Sequence, residues 1–236
     1  SYLVQKYLAE MVEAGLQCAV MEVSSQALKQ SRVEGIQFDY GVFTNIEPDH
    51  IAPGEHADFT EYLECKKKLF RQCRVGIANR DDRHFEEFTG GRTCVLETFG
   101  LSAEAELRAE KLRLISGGGR LGISFETSGL LEFQAELSLP GRFSVYNALA
   151  AIAVCRRLGV TKASMRQALR RVKVRGRVET VPVSERYTLL IDYAHNAMSL
   201  KSLLQTLREY RPARLICLFG CGGNRDRNRR FEMGEI

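Results

Sequence analysis

Cys18-Ala-Val-Met-Glu-Val-Ser-Ser25 is a short apolar run that ends on a carboxylate and two hydroxyls, and Tyr40-Gly-Val-Phe-Thr-Asn45 repeats that form. The spacing predicts strands over Cys18 to Val23 and Tyr40 to Thr44. Around them lie a helical pattern running to Ala14, a helix starting near Ser25, a helix over Phe59 to Cys73 and a strand at Arg74 to Ala78. Short apolar strands alternating with helices predict a parallel sheet covered on both faces. Between Thr93 and Leu139 the period becomes two. Lys111-Leu-Arg-Leu-Ile115 and Leu121-Gly-Ile-Ser-Phe125 flank the turn Ser116-Gly-Gly-Gly-Arg120, as in an antiparallel hairpin.

Beyond this region come two helices, Gly141 to Leu158 and Ser164 to Val172, and a charged segment, Lys173-Val-Arg-Gly-Arg-Val-Glu179. Tyr187 to Asp192, a helix over Ala197 to Tyr210 and Leu215 to Phe219 then predict a second β-α-β unit. The expected fold is α/β: a mostly parallel sheet flanked by helices, with an antiparallel extension, over residues 1–179, and the start of a separate α/β domain over residues 180–236. The apolar strand that nearly ends the chain lacks sequence for its own neighbours, so a fragment of a longer protein is expected.

Composition excludes several classes. Of 236 residues, 44% are hydrophobic and 27% charged, which rules out wholesale disorder. The net charge of +5 is modest and suits small anionic ligands better than a nucleic-acid surface. No apolar run approaches the roughly 20 residues of a membrane span, and no signal peptide opens the chain. Seven scattered cysteines without a Cys-x-x-Cys pair resemble the buried thiols of a reducing compartment, so a cytoplasmic protein is expected.

Polar residues cluster after the predicted strands, where open α/β sheets bind ligands. They are Glu22-Val-Ser-Ser25, Thr44-Asn-Ile-Glu-Pro-Asp-His50 and Asp192-Tyr-Ala-His-Asn196. Each alone has a plain structural explanation: a carboxylate at a strand end is often solvated, a lone His is often packed, and Ser24 or Ser25 can cap a helix. The triplet Lys66-Lys-Lys68 reads first as a basic helix face. The loop Gly220-Cys-Gly-Gly-Asn-Arg-Asp226 could cradle a phosphate, but its spacing is not the dinucleotide fingerprint.

Together, MEVSSQALKQSRV, FTNIEPDH, EYLECKKKLF, GRFSVYNALAA, GRVE, IDYAHNAMSL and FGCGGNRDRNRR occur in the order typical of the Mur ligases. The chain resembles the tripeptide-synthetase branch of that family from about Met21 to Met233. The resemblance implies a central ATPase-type domain and the start of a Rossmann-like C-terminal domain. It also implies a reaction in which ATP phosphorylates the carboxylate of a UDP-N-acetylmuramoyl dipeptide and an amino acid, diaminopimelate or lysine, displaces the phosphate. Mg2+ is the implied cofactor, with Glu22, His50 and Lys66 as its contacts, Lys66 as an N6-carbamate. From residue chemistry alone Asp49 suits magnesium better than His50. Ser24, Gln30 and Arg32 correspond to contacts of the UDP-sugar peptide, and Arg225 to the contact of the incoming amino acid. Asn147, Arg177, Asp192 and His195 correspond to the ATP site.

This sequence departs from the family at Ser144, Asn224 and Phe231, where Asn, Asp and Pro are usual. A P-loop, Gly-x-x-x-x-Gly-Lys-Thr/Ser, is absent and is expected to precede Ser1, while the motif that selects diaminopimelate is expected after Ile236. A monomer without nucleic-acid or membrane partners is expected. Related ligases of the folylpolyglutamate or lipid II amidating type are the alternatives, along with a non-catalytic sugar-nucleotide-binding module. The amidating subunit's zinc ribbon has no counterpart here, and folylpolyglutamate synthetases lack the Ser-Ser-Gln to Gln-Ser-Arg stretch.

Overall fold

The computed structural model describes the whole chain except residues 49–50, 52–53 and 222–227. His50, Asp49, Asn224 and Arg225 therefore lie outside the described residues. The chain folds as two compact units, Ser1–Glu106 and Leu107–Ile236. Its architecture is α/β, with a parallel part, flanking helices and an antiparallel part.

In the first unit, α1 (Tyr2–Glu13) and the five-residue α2 (Ser25–Lys29) precede β1 (Phe38–Phe43). Then come α3 (Phe59–Lys67), a 3₁₀ turn at Lys68–Arg71, β2 (Cys73–Asn79), α4 (Phe85–Thr89) and β3 (Val95–Gly100). The strands pair in parallel, β1 with β2 and β2 with β3, with Gly41 opposite Gly76 and Gly76 opposite Leu96. These glycines are dictated by what crosses them. A Cβ on Gly76 would lie 2.8 Å from both the Phe70 ring and Cys94 Sγ, and one on Gly41 would lie 2.9 Å from Cys73 Sγ. Phe70 is fully buried, its ring edge-on to Phe88 at 4.9 Å, and Phe88 stacks on Phe43 at 3.7 Å.

Polar side chains tie the ends of these strands together. Asn79 Nδ2 donates to Thr44 O at 2.8 Å, and Asp82 Oδ2 accepts from Ile46 N at 3.1 Å. Asp81 accepts from Leu101 N at 2.6 Å and from Ser102 N. The segment that leaves β1 is thus fixed by the turn that leaves β2.

One strand expectation fails in this unit. Cys18 to Val23 joins no sheet, and Val20 is fully exposed. An apolar run becomes a strand only where another backbone offers a ladder, and none of the described residues offers one to it. Glu22 consequently does not sit on a sheet edge beside Thr44 and Asn45.

In the second unit, β4 (Leu107–Gly117), β5 (Arg120–Gly129) and β6 (Phe133–Leu137) form an antiparallel meander. Gly117 pairs with Arg120, so the turn is Gly118-Gly119, with φ of 56° and 71°. That handedness matches the strand twist and suits glycine at both positions. Next come α5 (Arg142–Arg157), α6 (Lys162–Arg171), β7 (Glu179–Val181), β8 (Leu189–Ile191), α7 (Ala197–Glu209) and α8 (Asn228–Glu235). On α5, Val145, Ala148, Leu149, Ile152 and Ala153 form the buried stripe. Ser138 donates its hydroxyl to Val172 O at 2.6 Å, fastening β6 to the end of α6.

The expected second β-α-β unit is replaced by a hairpin. β8 pairs antiparallel with β7, and Leu215 to Phe219 is not a strand, with Leu218 almost wholly exposed. The cause is the same as at Cys18 to Val23: apolar strand sequence without a neighbouring ladder.

Two outcomes check the packing. Gly76→Ala should lower the urea midpoint by the equivalent of about 1–3 kcal/mol, since Phe70 cannot move without opening the core. Gly220→Ala, with open space around it, should cost less than about 0.5 kcal/mol. A third outcome concerns Tyr210, whose hydroxyl donates to Gly122 O at 2.7 Å. Burial pushes that phenol from 10.0 up to about 12. The folded state then holds a proton that the unfolded chain releases, so this contribution is present below pH 10 and lost between pH 10 and 12. Denaturation of Tyr210→Phe across that range should show a shallower alkaline decline than the unsubstituted protein, by about 1–3 kcal/mol.

Candidate functional site

The first group of candidates surrounds α2. Ser24 is its N-cap, its hydroxyl accepting from Ala27 N at 3.1 Å. Ser31, with φ of 52°, turns the chain out of the helix, and buried Val33 anchors the exit. Glu22, Ser24, Gln30 and Arg32 all remain exposed. Among the described residues, neither the Glu22 carboxylate nor the Arg32 guanidinium makes a hydrogen bond or ion pair, and Gln30 bonds only weakly to Gln26 Oε1 at 3.4 Å. Charged ends left uncommitted in this way are available to a ligand.

Lys66 occupies the last turn of α3, half-buried, with its Nζ 5.3 Å from the Tyr62 ring centroid. Asp58 begins the helix by accepting from Glu61 N at 2.8 Å. Lys67, part of the basic helix face read from the sequence, is half-buried and paired with Glu64 Oε1 at 2.5 Å. Lys68, exposed as expected, reaches Leu28 O at 3.5 Å.

His56 carries no sequence signal and emerges only here. Its Nε2 lies 2.9 Å from the buried Ser25 hydroxyl, and its Nδ1 lies 3.9 Å from Glu61 Oε2. Glu61 is also bonded by Lys29 Nζ at 2.7 Å and Ala57 N at 2.7 Å, and these donors hold its carboxyl below the usual carboxylate range. A histidine flanked by turn-forming residues, with two serines opening a helix upstream, gives no periodicity that would have joined them.

In the second unit, Asp192 follows β8 and both of its oxygens take backbone donors. Oδ2 accepts from Val178 N and Oδ1 from Ala194 N, each at 2.8 Å. Val178 has φ of 45° and is buried. The Arg177 guanidinium lies 5.1 Å over the Tyr193 ring, and exposed His195 bonds through Nδ1 to Tyr193 O at 3.1 Å. Arg177, Asp192 and His195 thus share one corner, ahead of α7, which Asn196 caps with Ser199 in reciprocal bonds. Asn147 stands apart on an exposed face of α5. Ser144, the departure on that helix, is buried and donates its hydroxyl to Pro140 O at 2.7 Å. Phe231 on α8 is exposed.

For a magnesium ion, Glu22 offers a hard oxygen donor, and a carbamate on Lys66 would offer two more, so the residue chemistry fits. Asp192 is less suited to direct ligation because two backbone amides already draw on its charge.

Comparison with known proteins shows the family. Residues 1–155 match the Mur ligase middle domain, and residues 176–236 match the Mur ligase glutamate ligase domain. A UDP-N-acetylmuramoyl-L-alanyl-D-glutamate–2,6-diaminopimelate ligase of Geobacter metallireducens is 38% identical over 98% of this chain and 46% of its own length. A UDP-N-acetylmuramyl-tripeptide synthetase of Lactococcus lactis subsp. cremoris is 34% identical over 97% of this chain and 46% of its own. The solved structure of a UDP-N-acetylmuramoyl-L-alanyl-D-glutamate–2,6-diaminopimelate ligase superposes on 99% of this chain and 48% of its own, with a TM-score of 0.78 at 26% identity. The chain spans about half the length of the curated relatives it matches. Covered in both of its parts by Mur ligase domains, and aligned nearly end to end with such ligases, the chain belongs to the Mur ligase family.

Proposed function

We propose that the chain is the part of an ATP-dependent ligase that adds the third amino acid to UDP-N-acetylmuramoyl dipeptide, in the assembly of peptidoglycan. One observation carries this reading: near-complete alignment with relatives named for that reaction. The boundary between central and C-terminal domains falls near Glu179 on this reading, beyond the middle-domain match at residues 1–155 and at the start of the C-terminal match at residues 176–236. The enzyme is a cytoplasmic monomer on this reading. No helix among the described residues is long and apolar enough to cross a membrane.

The substrate carboxylate attacks the γ-phosphorus of ATP and releases ADP. The amine of diaminopimelate or lysine then attacks the acyl carbon, expelling phosphate and giving up a proton as the amide forms. Such a sequence brings several negative charges together, so its main demand is for positioning and positive or hydrogen-bonding groups. Arg32, with its uncommitted guanidinium, binds a phosphate or carboxylate of the UDP-sugar peptide through paired donors, beside Ser24 and Gln30. Arg225 takes the amino acid's carboxylate. Arg177 and His195 contact the nucleotide, with Asp192 holding their loop, and Asn147 contacts the base. Glu22, His50 and a carbamate on Lys66 would hold Mg2+, which would supply charge neutralisation for the transferring phosphoryl group. The carbamate forms when the neutral Lys66 amine adds carbon dioxide and loses a proton, which replaces a cation by an anion.

The folylpolyglutamate alternative predicts glutamate transfer to a folate, and it is tested by offering both acceptors to one enzyme preparation. In the full-length ligase, Lys66→Ala should lower kcat on the order of 10³-fold while the circular dichroism spectrum is unchanged. Added formate or acetate should restore part of the rate by filling the vacated anion position. Lys67→Ala should stay within about threefold, because a partly exposed ion pair contributes little. Full activity in Lys66→Ala, or a large loss confined to Lys67→Ala, would assign the chemistry to another residue.

A further inference from the structure

The five-residue helix α2 carries the exposed ligand candidates, yet it is far too short to hold its own conformation in water. Its position must come from tertiary contacts, and four polar ones join it to the segment leading through α3. Lys29 Nζ bonds Glu55 O and Glu61 Oε1, each at 2.7 Å. Lys68 Nζ approaches Leu28 O at 3.5 Å. The Ser25 hydroxyl meets His56 Nε2 at 2.9 Å. These differ in what they can specify. The lysine contacts lie at the surface, where long side chains and solvent leave an ion pair with little net strength. Ser25 and His56 are 3% and 1% exposed, so their bond is made away from water and would leave a buried polar group stranded if broken.

We infer that His56 is a positioning residue: its buried hydrogen bond to Ser25 locks α2 against α3, setting Ser24, Gln30 and Arg32 relative to the helix that carries Lys66. The inference rests on the ligase reading for the identity of the substrate, but its mechanical content does not. The ring is enclosed by Tyr62, whose centroid lies 5.3 Å away, and by Glu61 on the Nδ1 side. His56, Glu61 and Cys65 bring their ligand atoms within 4.8 Å of one another, as in some metal sites. Here the Glu61 carboxylate is already engaged by Lys29 and Ala57 N, which favours a hydrogen-bonded core over a cation site.

The test uses the full-length ligase with His56→Leu, His56→Gln and Ser25→Ala. Leucine fills the space without a polar atom, whereas glutamine can present an amide to Ser25. In His56→Leu and Ser25→Ala, amide hydrogen exchange over residues 24–32 should accelerate about tenfold while exchange in β2 stays unchanged, because only a local contact is lost. KM for the UDP-sugar dipeptide should rise about tenfold with KM for ATP within about twofold, and His56→Gln should recover most of both effects. Unchanged exchange over residues 24–32, acceleration that spreads into β2, equal defects in the Leu and Gln variants, or a KM for ATP that rises in step would each overturn the proposal. If the unsubstituted enzyme makes no amide from the dipeptide, the functional reading fails, and the exchange experiment alone decides the positioning role.

Discussion

Phe70 lies across Gly76, and the rest of the first unit is arranged around that contact. The glycine lets an aromatic ring sit directly on the backbone of the central strand β2, with a would-be Cβ only 2.8 Å away. Phe88 and Phe43 extend the stack to α4 and β1, so one run of rings joins two helical segments to two strands. These rings lie in the buried cluster with Ile46, Tyr62, Leu63 and Phe85, and ring contacts add to the burial of their own area. Because the 3₁₀ turn that bears Phe70 continues directly from α3, the ring also sets the depth at which Lys66 stands relative to the sheet.

Where sequence signal was local, it was legible. The glycine triplet at 117–119 marks a hairpin that the structure contains, and the apolar run over Gly141 to Leu158 is the helix α5. Cys18 to Val23 and Leu215 to Phe219 were misread for a common reason. Their composition is that of buried strands, but strand formation is decided by a second backbone, and composition says nothing of where that partner is. The β7–β8 hairpin illustrates the same point, since its short strands carry little amphipathic alternation of their own.

The candidate site divides along similar lines. Hydroxyls ahead of α2 announce a cap, and Ser24 is one. The neighbouring Ser25 does something that adjacency cannot convey, reaching a histidine that enters from a distant turn. Lys66 and Lys67 look equivalent in sequence, but successive helix positions face different surroundings: one amine lies over a tyrosine ring and the other pairs with a carboxylate. Short-range pattern identifies which elements exist, while long-range polar contacts decide which side chains remain available for chemistry.

The bond from Val178 N to Asp192 has a consequence for the joint it closes. Valine is poorly suited to a positive φ, since its branched Cβ crowds the adjacent carbonyl, and a residue held there stores about 1–3 kcal/mol of strain. Burial of the valine side chain and the Asp192 carboxylate hold it in place from opposite sides. The entry to β7 is therefore a point where sequence preference and fold disagree, and the carboxylate of Asp192 and the burial of the valine together outweigh that local cost.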